Sequence, residues 1–203
     1  MSELDFFNER DFFIIGSGRL ACEFLGYLKV DFRPNRYIYL VGKAQEKGFF
    51  EKLSGVAVDA VIGVGSPALR QGLSEKFHGV RWVTSIHNSV YNQDATCEHG
   101  VVVAPNCSLT TNIILFQHVF LNLNCTVGHD TRIGAYSVVN PGANISGNVT
   151  IGKRVLVGTG ACIRDGVTIG DDAVIGMGAV VVKDVPAGMT VVGNPATEIK
   201  RRT

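Results

Sequence analysis

Branched aliphatic residues recur at every sixth position through the second half of the chain, without a break from Val103 to Val181. A second series of small or β-branched residues, none of them charged, follows each aliphatic residue by four positions, from Cys107 to Val185. An α-helix repeats its apolar face every 3.6 residues and a strand every 2 residues. A period of six therefore predicts short strands separated by corners.

The residue directly after the aliphatic residue is often glycine or asparagine, and both tolerate the positive φ of a tight corner. These residues are Asn122, Gly128, Gly134, Asn140, Gly152, Gly158, Gly170 and Gly176. Three strands and three corners close a triangular coil of eighteen residues, and coils stack at the strand spacing of about 4.8 Å. Residues 85–184 predict about five to six such coils. An antiparallel β-sandwich is the alternative, which the unbroken period disfavours.

The first 84 residues have a different pattern and predict a small α/β domain. Strands are predicted at 11–15, 37–41, 58–64 and 80–84, and helices at 19–29 and from Pro67 onward. Strand, glycine turn, helix and strand form a βαβ pattern, which implies a parallel sheet. We therefore divide the chain into an α/β domain over residues 1–84 and an all-β solenoid with a C-terminal tail over residues 85–203.

The charge of the chain argues against partners that are held by a strong electrostatic field. The formal net charge is +1 and charged residues make up 18% of the sequence, so neither nucleic acid nor a membrane is an expected partner. The five cysteines include no CxxC pair, and Cys107 and Cys125 lie on an inward row as small hydrophobes. With no apolar run long enough to span a bilayer and no secretory signal, we expect a cytoplasmic protein.

Two glycine turns follow predicted strands and open predicted helices, at residues 16–18 and 63–66. Helix N-termini favour anions, so both turns are candidates for binding an acceptor that carries phosphate. The residue directly after the first turn is included. The candidate residues are Gly16, Ser17, Gly18, Arg19 and Gly65. Alternatively the glycines only make short turns, because the first turn lacks the third glycine of the dinucleotide fingerprint.

His129 is the main catalytic candidate on chemical grounds. It lies at a predicted corner with Asp130 directly after it, and an imidazole oriented by an acid is the usual general-base arrangement. A solvated corner histidine is the alternative. His87, His99 and His118 are also predicted at corners, directed outward or sideways. Their spacing does not place three imidazoles on one patch, so we expect no zinc site.

Several segments resemble the bacterial sugar acetyltransferases that join a small Rossmann-like domain to a hexapeptide-repeat prism. This group includes sialic acid O-acetyltransferases and the N-acetyltransferases of UDP-4-amino-sugars, and the likeness covers nearly all of residues 11–200. The matching segments are Leu121-Asn122, Gly128-His129-Asp130, Pro141-Gly142-Ala143 and residues 146–152, 158–161, 175–181 and 192–196. The resemblance implies a left-handed parallel β-helix, a homotrimer, and acetyl-CoA in the cleft between neighbouring prisms, without a metal.

The resemblance also implies roles for single residues. His129 is the implied catalytic base and Asp130 the adjoining acid, while Asn122 is an implied acceptor contact. The implied coenzyme contacts are Val138, Gly147, Thr159 and Met177.

The N-terminal domain departs from the relatives that bind UDP-sugars. Arg19 stands near the place of their histidine, and Val41-Gly42-Lys43 follows the second strand where they carry paired acids. Arg19 and Lys43 therefore indicate a more anionic or a different acceptor.

Together these features predict direct transfer of an acetyl group from acetyl-CoA to a small-molecule acceptor in bacterial surface glycan biosynthesis. An amino sugar linked to a nucleotide is favoured, because an unprotonated amine is a better nucleophile than a hydroxyl. One alternative is O-acetylation of a sugar hydroxyl, as on sialic acid. Another is a non-catalytic scaffold that binds CoA or a nucleotide sugar.

Overall fold

The computed structural model of the protein describes residues 12–16, 19–27, 38–41, 58–77 and 80–199. Among the residues singled out above, Ser17, Gly18, Gly42 and Lys43 lie outside these ranges. The described part contains a small parallel sheet with helices near the N-terminus, followed by a β-helix.

The N-terminal unit follows the predicted order of elements within the described residues. Its strands are β1 (Phe12–Ile15), β2 (Ile38–Val41), β3 (Asp59–Ile62) and β4 (Arg81–Trp82), and its helices are α1 (Arg19–Tyr27) and α2 (Pro67–Lys76). All strand pairs are parallel and the sheet order is β2-β1-β3-β4. Each strand lies within its predicted segment, and α2 begins at the predicted proline.

Residues 85–192 wind into a parallel β-helix with three faces. Through most of its length each strand pairs with the strand eighteen residues further along, as Val102 does with Phe120 and Phe120 with Val138. The first face contains Ser85–Ile86, Val102–Val103, Phe120–Leu121, Val138–Val139, Leu156–Val157, Val174–Ile175 and Thr190–Val192, with Thr197–Glu198 antiparallel at its end. The second face contains Tyr91–Asn92, Ser108–Leu109, Thr126–Val127, Asn144–Ile145, Cys162–Ile163 and Val180–Val181. The third face contains Thr96–Cys97, Ile114–Leu115, Arg132–Ile133, Thr150–Ile151 and Thr168–Ile169.

The two predicted inward rows form the core of the β-helix. Every residue of the aliphatic series and of the small-residue series is at most 5% exposed. The two hydroxyls in the second row are satisfied, because Thr131 Oγ1 donates to Ser146 O at 3.1 Å and Ser137 Oγ donates to Gly152 O at 2.8 Å. Burial of each large aliphatic side chain stabilises the fold by roughly 1.5–3 kcal/mol, so the stacked rows account for the unbroken period.

The corners differ from the prediction in the place of their positive φ. It occurs at the third residue after the inward aliphatic residue, as at Asn106, Asn112 and Asn124, and the glycines directly after the aliphatic residues do not have it. Glycine is needed at that first position for a steric reason. A Cβ at Gly128 would lie 2.5 Å from the backbone nitrogen of Gly147 in the next coil. The explanation by positive φ was therefore wrong for these glycines, which permit the close approach of two coils.

The N-terminal unit packs on the first face of the β-helix. One buried cluster joins the sheet and α1 to outward side chains of that face: Phe12, Ile14, Ala21, Val61, Val102, Ala104, Phe120 and Val138. Helix α2 extends the contact to the corner between the third and first faces, where Arg154 Nη1 donates to Gln71 Oε1 at 3.3 Å. The carboxyl ends of β1 and β3 are thereby fixed relative to the β-helix.

Candidate active site

His129 and Asp130 form a hydrogen-bonded pair at the corner between the second and third faces. Asp130 has a φ of 58°, which turns its carboxylate beside the preceding residue. His129 Nδ1 lies 2.8 Å from Asp130 Oδ2. Because a carboxylate can only accept, Nδ1 of the neutral ring carries the hydrogen and Nε2 keeps its lone pair.

Both side chains of the pair are accessible, with 54% of His129 and 46% of Asp130 exposed. An imidazole whose Nδ1 is held by an acid and whose ring is half exposed has the geometry of a general base. The sequence predicted this adjacency, and the structure shows that the two side chains touch.

The second oxygen of the Asp130 carboxylate also has a partner. Asn112 Nδ2 donates to Asp130 Oδ1 at 2.6 Å. This bond is the main cause that lowers the pKa of Asp130 below its ordinary value, and the bond to His129 adds to it. The carboxylate therefore stays ionised near neutral pH. The sequence analysis missed Asn112, although its place eighteen residues before Asp130 puts it one coil below.

Gly147 borders the imidazole of His129 in the next coil. A Cβ at this position would lie 2.5 Å from His129 Nε2. The glycine was predicted as a coenzyme contact, and the structure brings it beside the atom that would move a proton. A side chain larger than hydrogen would displace the ring.

Thr159 and Met177 lie on a different edge of the β-helix, between the first and second faces. They occupy successive coils, and Gly178 N donates to Thr159 O at 2.9 Å. Met177 is 80% exposed, which is unusual for a residue with a large apolar side chain. Asn122 lies lower on this same edge, where its Oδ1 accepts from Leu123 N at 2.8 Å. Within one chain, the second face separates these residues from His129.

Val138 was predicted as a coenzyme contact, but its side chain is buried between the two units. It packs in the cluster with Phe12, Ile14 and Phe120. Its outward position on the first face is covered by the N-terminal sheet. The structure therefore gives this side chain a packing role and does not bring it to His129.

The two glycine turns of the N-terminal unit meet at the carboxyl ends of β1 and β3. Gly63 N donates to Ile15 O at 2.9 Å, and a Cβ at Gly16 would lie 2.7 Å from Gly63 O. Gly65 lies against α1, since a Cβ there would be 3.3 Å from Leu20 Cδ2. Arg19 is exposed at the start of α1. Gly16, Arg19 and Gly65 are thus close together at the sheet edge where ligands of parallel sheets bind.

His118 was expected at a corner, pointing outward or sideways, and it does lie at a corner outside the core of the β-helix. Its ring is 1% exposed because the N-terminal unit covers it. It stacks on Tyr136 with a centroid distance of 5.4 Å and meets Trp82 and His99 edge to face. Burial, with added repulsion from Arg70 and His99, lowers the pKa of His118 to about 3. This histidine is therefore a neutral packing group.

Two further observations concern other kinds of site. In the part of the chain that the structure describes, no group of three or more His, Cys, Asp or Glu side chains is arranged to hold a metal ion. Neither helix there is long and apolar enough to cross a membrane.

Comparison with known proteins places these features in a wider context. Residues 148–183 match the family described as the hexapeptide repeat of succinyl-transferase. The chain is 40% identical over 148 residues to a GDP-perosamine N-acetyltransferase of Escherichia coli O157:H7, which covers 69% of this chain and 67% of the relative.

Solved structures of similar proteins cover almost the whole chain. The acetyltransferase domain of PglB from Neisseria gonorrhoeae in complex with acetyl coenzyme A has a TM-score of 0.80 at 28% identity, covering 95% of this chain and 100% of that one. PerB from Caulobacter crescentus in complex with CoA and GDP-perosamine has a TM-score of 0.80 at 26% identity, covering 94% and 97%. The β-helix is left-handed, as the resemblance implied.

Proposed function

The chain belongs to the hexapeptide-repeat sugar acetyltransferases, and from this premise we propose that it transfers the acetyl group of acetyl-CoA to the amine of a nucleotide-linked amino sugar. Two similar proteins carry this chemistry in their names or complexes, namely the GDP-perosamine N-acetyltransferase and PerB with CoA and GDP-perosamine. Their acceptor favours N-transfer over O-transfer to a sugar such as sialic acid. The hydrogen-bonded pair of His129 and Asp130 at one corner favours an enzyme over a non-catalytic scaffold.

One observation carries the proposed mechanism: His129 Nδ1 lies 2.8 Å from Asp130 Oδ2, and Nε2 is left to act on the acceptor. In the proposed step the amine nitrogen attacks the thioester carbonyl carbon, and His129 Nε2 takes one proton from that nitrogen. The carbon–sulfur bond then breaks, and the CoA thiolate leaves and receives the proton. Proton transfer of this kind contributes about 10²–10⁴-fold in rate.

The proposed coenzyme groove lies between neighbouring copies of the chain. The exposed Met177 and Thr159 lie on one edge of the second face and His129 on the other, so a single chain does not surround a ligand that contacts both. A homotrimer, in which a second prism supplies the facing wall, would bring such edges together. Val138 then serves the packing between units, and the coenzyme contacts proposed are Gly147, Thr159 and Met177.

Residues 1–84 are proposed as a Rossmann-like unit that binds the acceptor. Support comes from the parallel sheet and from the meeting of Gly16 and Gly63 at its carboxyl edge. The exposed Arg19 gives this edge a positive charge that suits the diphosphate of a nucleoside diphosphate sugar. Asn122 remains a proposed acceptor contact, and 7% of it is exposed within one chain. An activated amino sugar of this kind would serve a cytoplasmic step of surface glycan synthesis.

The test is an acetylation assay that follows thiol release from acetyl-CoA with GDP-, UDP- and dTDP-linked 4-amino sugars and with free sialic acid. We expect turnover with a nucleotide-linked amine. His129→Asn should lower kcat at least about 100-fold while CoA binding persists. His87→Asn is the matched control, because His87 is a half-buried corner histidine at the start of the β-helix. Full activity of His129→Asn, or turnover of sialic acid alone, would overturn the proposal.

A further inference from the structure

We infer that Asn112 is a positioning residue for the His129–Asp130 pair, held in place by Asp94 one coil further down. The inference rests on the proposed function of that pair as a base. It concerns neither substrate contact nor coenzyme contact. It concerns which atoms fix the orientation of the imidazole, and it follows from hydrogen bonds that cross three coils at one corner.

Asn112 and His129 divide the two oxygens of one carboxylate. Asn112 Nδ2 donates to Asp130 Oδ1 at 2.6 Å, and Asp130 Oδ2 accepts from His129 Nδ1 at 2.8 Å. A carboxylate bound at one oxygen only can rotate about its Cβ–Cγ bond and turn its plane away from the ring. With Oδ1 occupied, Oδ2 is held toward Nδ1. The hydrogen then stays on Nδ1, and Nε2 stays available as the acceptor.

Asn112 is itself fixed from below. Asp94 Oδ1 accepts from Asn112 N at 2.6 Å, and Asp94 Oδ2 accepts from Thr111 Oγ1 at 2.7 Å. Asn112 also has a φ of 54°, a conformation that asparagine tolerates better than most residues. Asp94 therefore binds the backbone of Asn112 and the hydroxyl of the neighbouring Thr111, and Asn112 in turn binds Asp130.

The charges around the carboxylate agree with this arrangement. Besides the hydrogen bonds from Asn112 and His129, the nearby Arg132 contributes a favourable charge to Asp130. Arg132 lies on the third face and supplies charge without fixing either oxygen. Asn112 is the donor that fixes the plane of the carboxylate facing the histidine.

The test compares Asn112→Gly with Asn106→Gly. Glycine keeps the left-handed backbone without strain, so each variant removes only a side chain. Asn106 has the same conformation, with a φ of 61°, at a corner on the other edge of the second face. We expect Asn112→Gly to lower kcat by about 5- to 20-fold with KM for both substrates unchanged within about twofold. Asn106→Gly should retain the kcat of the unmodified protein.

A second readout does not need catalysis. Nitrogen-15 chemical shifts of the His129 imidazole report which ring nitrogen carries the hydrogen. The Nδ1–H form should dominate in the unmodified protein, and the Nε2–H form should rise in Asn112→Gly. Asp94→Ala should shift the same population in the same direction, and the double variant should add little to Asn112→Gly, because both act through one chain of contacts. Unchanged tautomer populations in Asn112→Gly would overturn the inference.

The two proposals fail separately. If no sugar is acetylated but the tautomer shifts as expected, the proposed function is wrong and the positioning role stands. If turnover occurs and depends on His129, but Asn112→Gly changes neither the tautomer populations nor kcat, the positioning role is wrong. Should Asn112→Gly not fold, Asn112→Asp provides the same test, since it keeps the shape and replaces the donor with an acceptor.

Discussion

Arg70 donates from Nε to the carbonyl oxygen of His118 at 3.0 Å and so links helix α2 to the β-helix. The same guanidinium donates from Nη1 to Ile62 O at 2.8 Å and to Val64 O at 2.9 Å. Its charge lies 5.6 Å from the ring centroid of Phe120. One fully buried side chain thus connects the end of β3, where the acceptor is proposed to bind, to the corner beneath it.

Arg70→Met is expected to destabilise the fold by about 3 kcal/mol, because it leaves buried carbonyl oxygens without their donor. Urea unfolding measures the change. Arg81→Met is the matched control, since the Arg81 side chain is exposed where it pairs with the partly buried Asp59, and we expect a clearly smaller loss of stability. Equal losses in the two variants would contradict the role assigned to Arg70.

Acid is expected to weaken the fold through His118. The pKa of this group falls to about 3 in the folded protein from an ordinary value of 6.5. Between these values the unfolded chain binds a proton that the folded chain does not, so stability declines as pH falls from about 6.5 toward 3. Unfolding free energies at pH 7, 6 and 5 measure the decline. His118→Asn should flatten it, and His87→Asn, at a half-buried corner, should not.

A methyl group beside the imidazole should impair catalysis without weakening the fold. In Gly147→Ala the added Cβ meets the His129 side chain, which can move away, so we expect little change in Tm and a fall in kcat of at least about tenfold. Gly128→Ala is the contrasting variant, because its first effect should be on thermal stability. Its Cβ meets backbone atoms of the next coil, so Tm should fall clearly. A normal kcat in Gly147→Ala would remove His129 from the mechanism.

Asp130→Asn should keep the corner intact, because asparagine also accepts a φ near 58°. It replaces the carboxylate with an amide, whose oxygen still accepts from Asn112 Nδ2, so that an N–H group faces His129 Nδ1. Nδ1 then no longer keeps its hydrogen, and we expect kcat to fall by about tenfold or more. In the unmodified protein the pKa of Asp130 lies below its ordinary value because of Asn112 and then His129. The ionised acid is therefore present at neutral pH and is lost only in strong acid. A kcat–pH profile in which this carboxylate titrates near neutrality would contradict that assignment.

The core of the β-helix could be predicted from the sequence because its pattern is local and repetitive. A shift of the repeat by one residue would place charged side chains such as Arg132 inside the β-helix. Every residue of the aliphatic row from Val103 to Val181 is in fact buried. The adjacency of His129 and Asp130 was likewise visible, since neighbours in sequence at a corner are neighbours in space.

Other features depend on contacts that the period does not encode. His118 and Val138 have outward positions in the repeat, and only the packing of the N-terminal unit buries them. Asn112 contributes to the candidate site from the coil below, through a side-chain direction that spacing alone does not give. The glycines after the aliphatic residues were noticed in the sequence but explained wrongly. Close contact between the backbones of two coils selects glycine, just as a positive φ does.

The eighteen-residue pairing also constrains how the molecule can change in length. Loss of one complete turn of the prism, for example residues 150–167, would shorten it and leave every later side chain on its original face. Loss of a single hexad would instead rotate everything beyond it by a third of a revolution. The edge that carries Met177 would then point elsewhere, while His129 stayed in place. Viable relatives with shorter or longer prisms should therefore differ by whole turns or by loops that bulge from a corner.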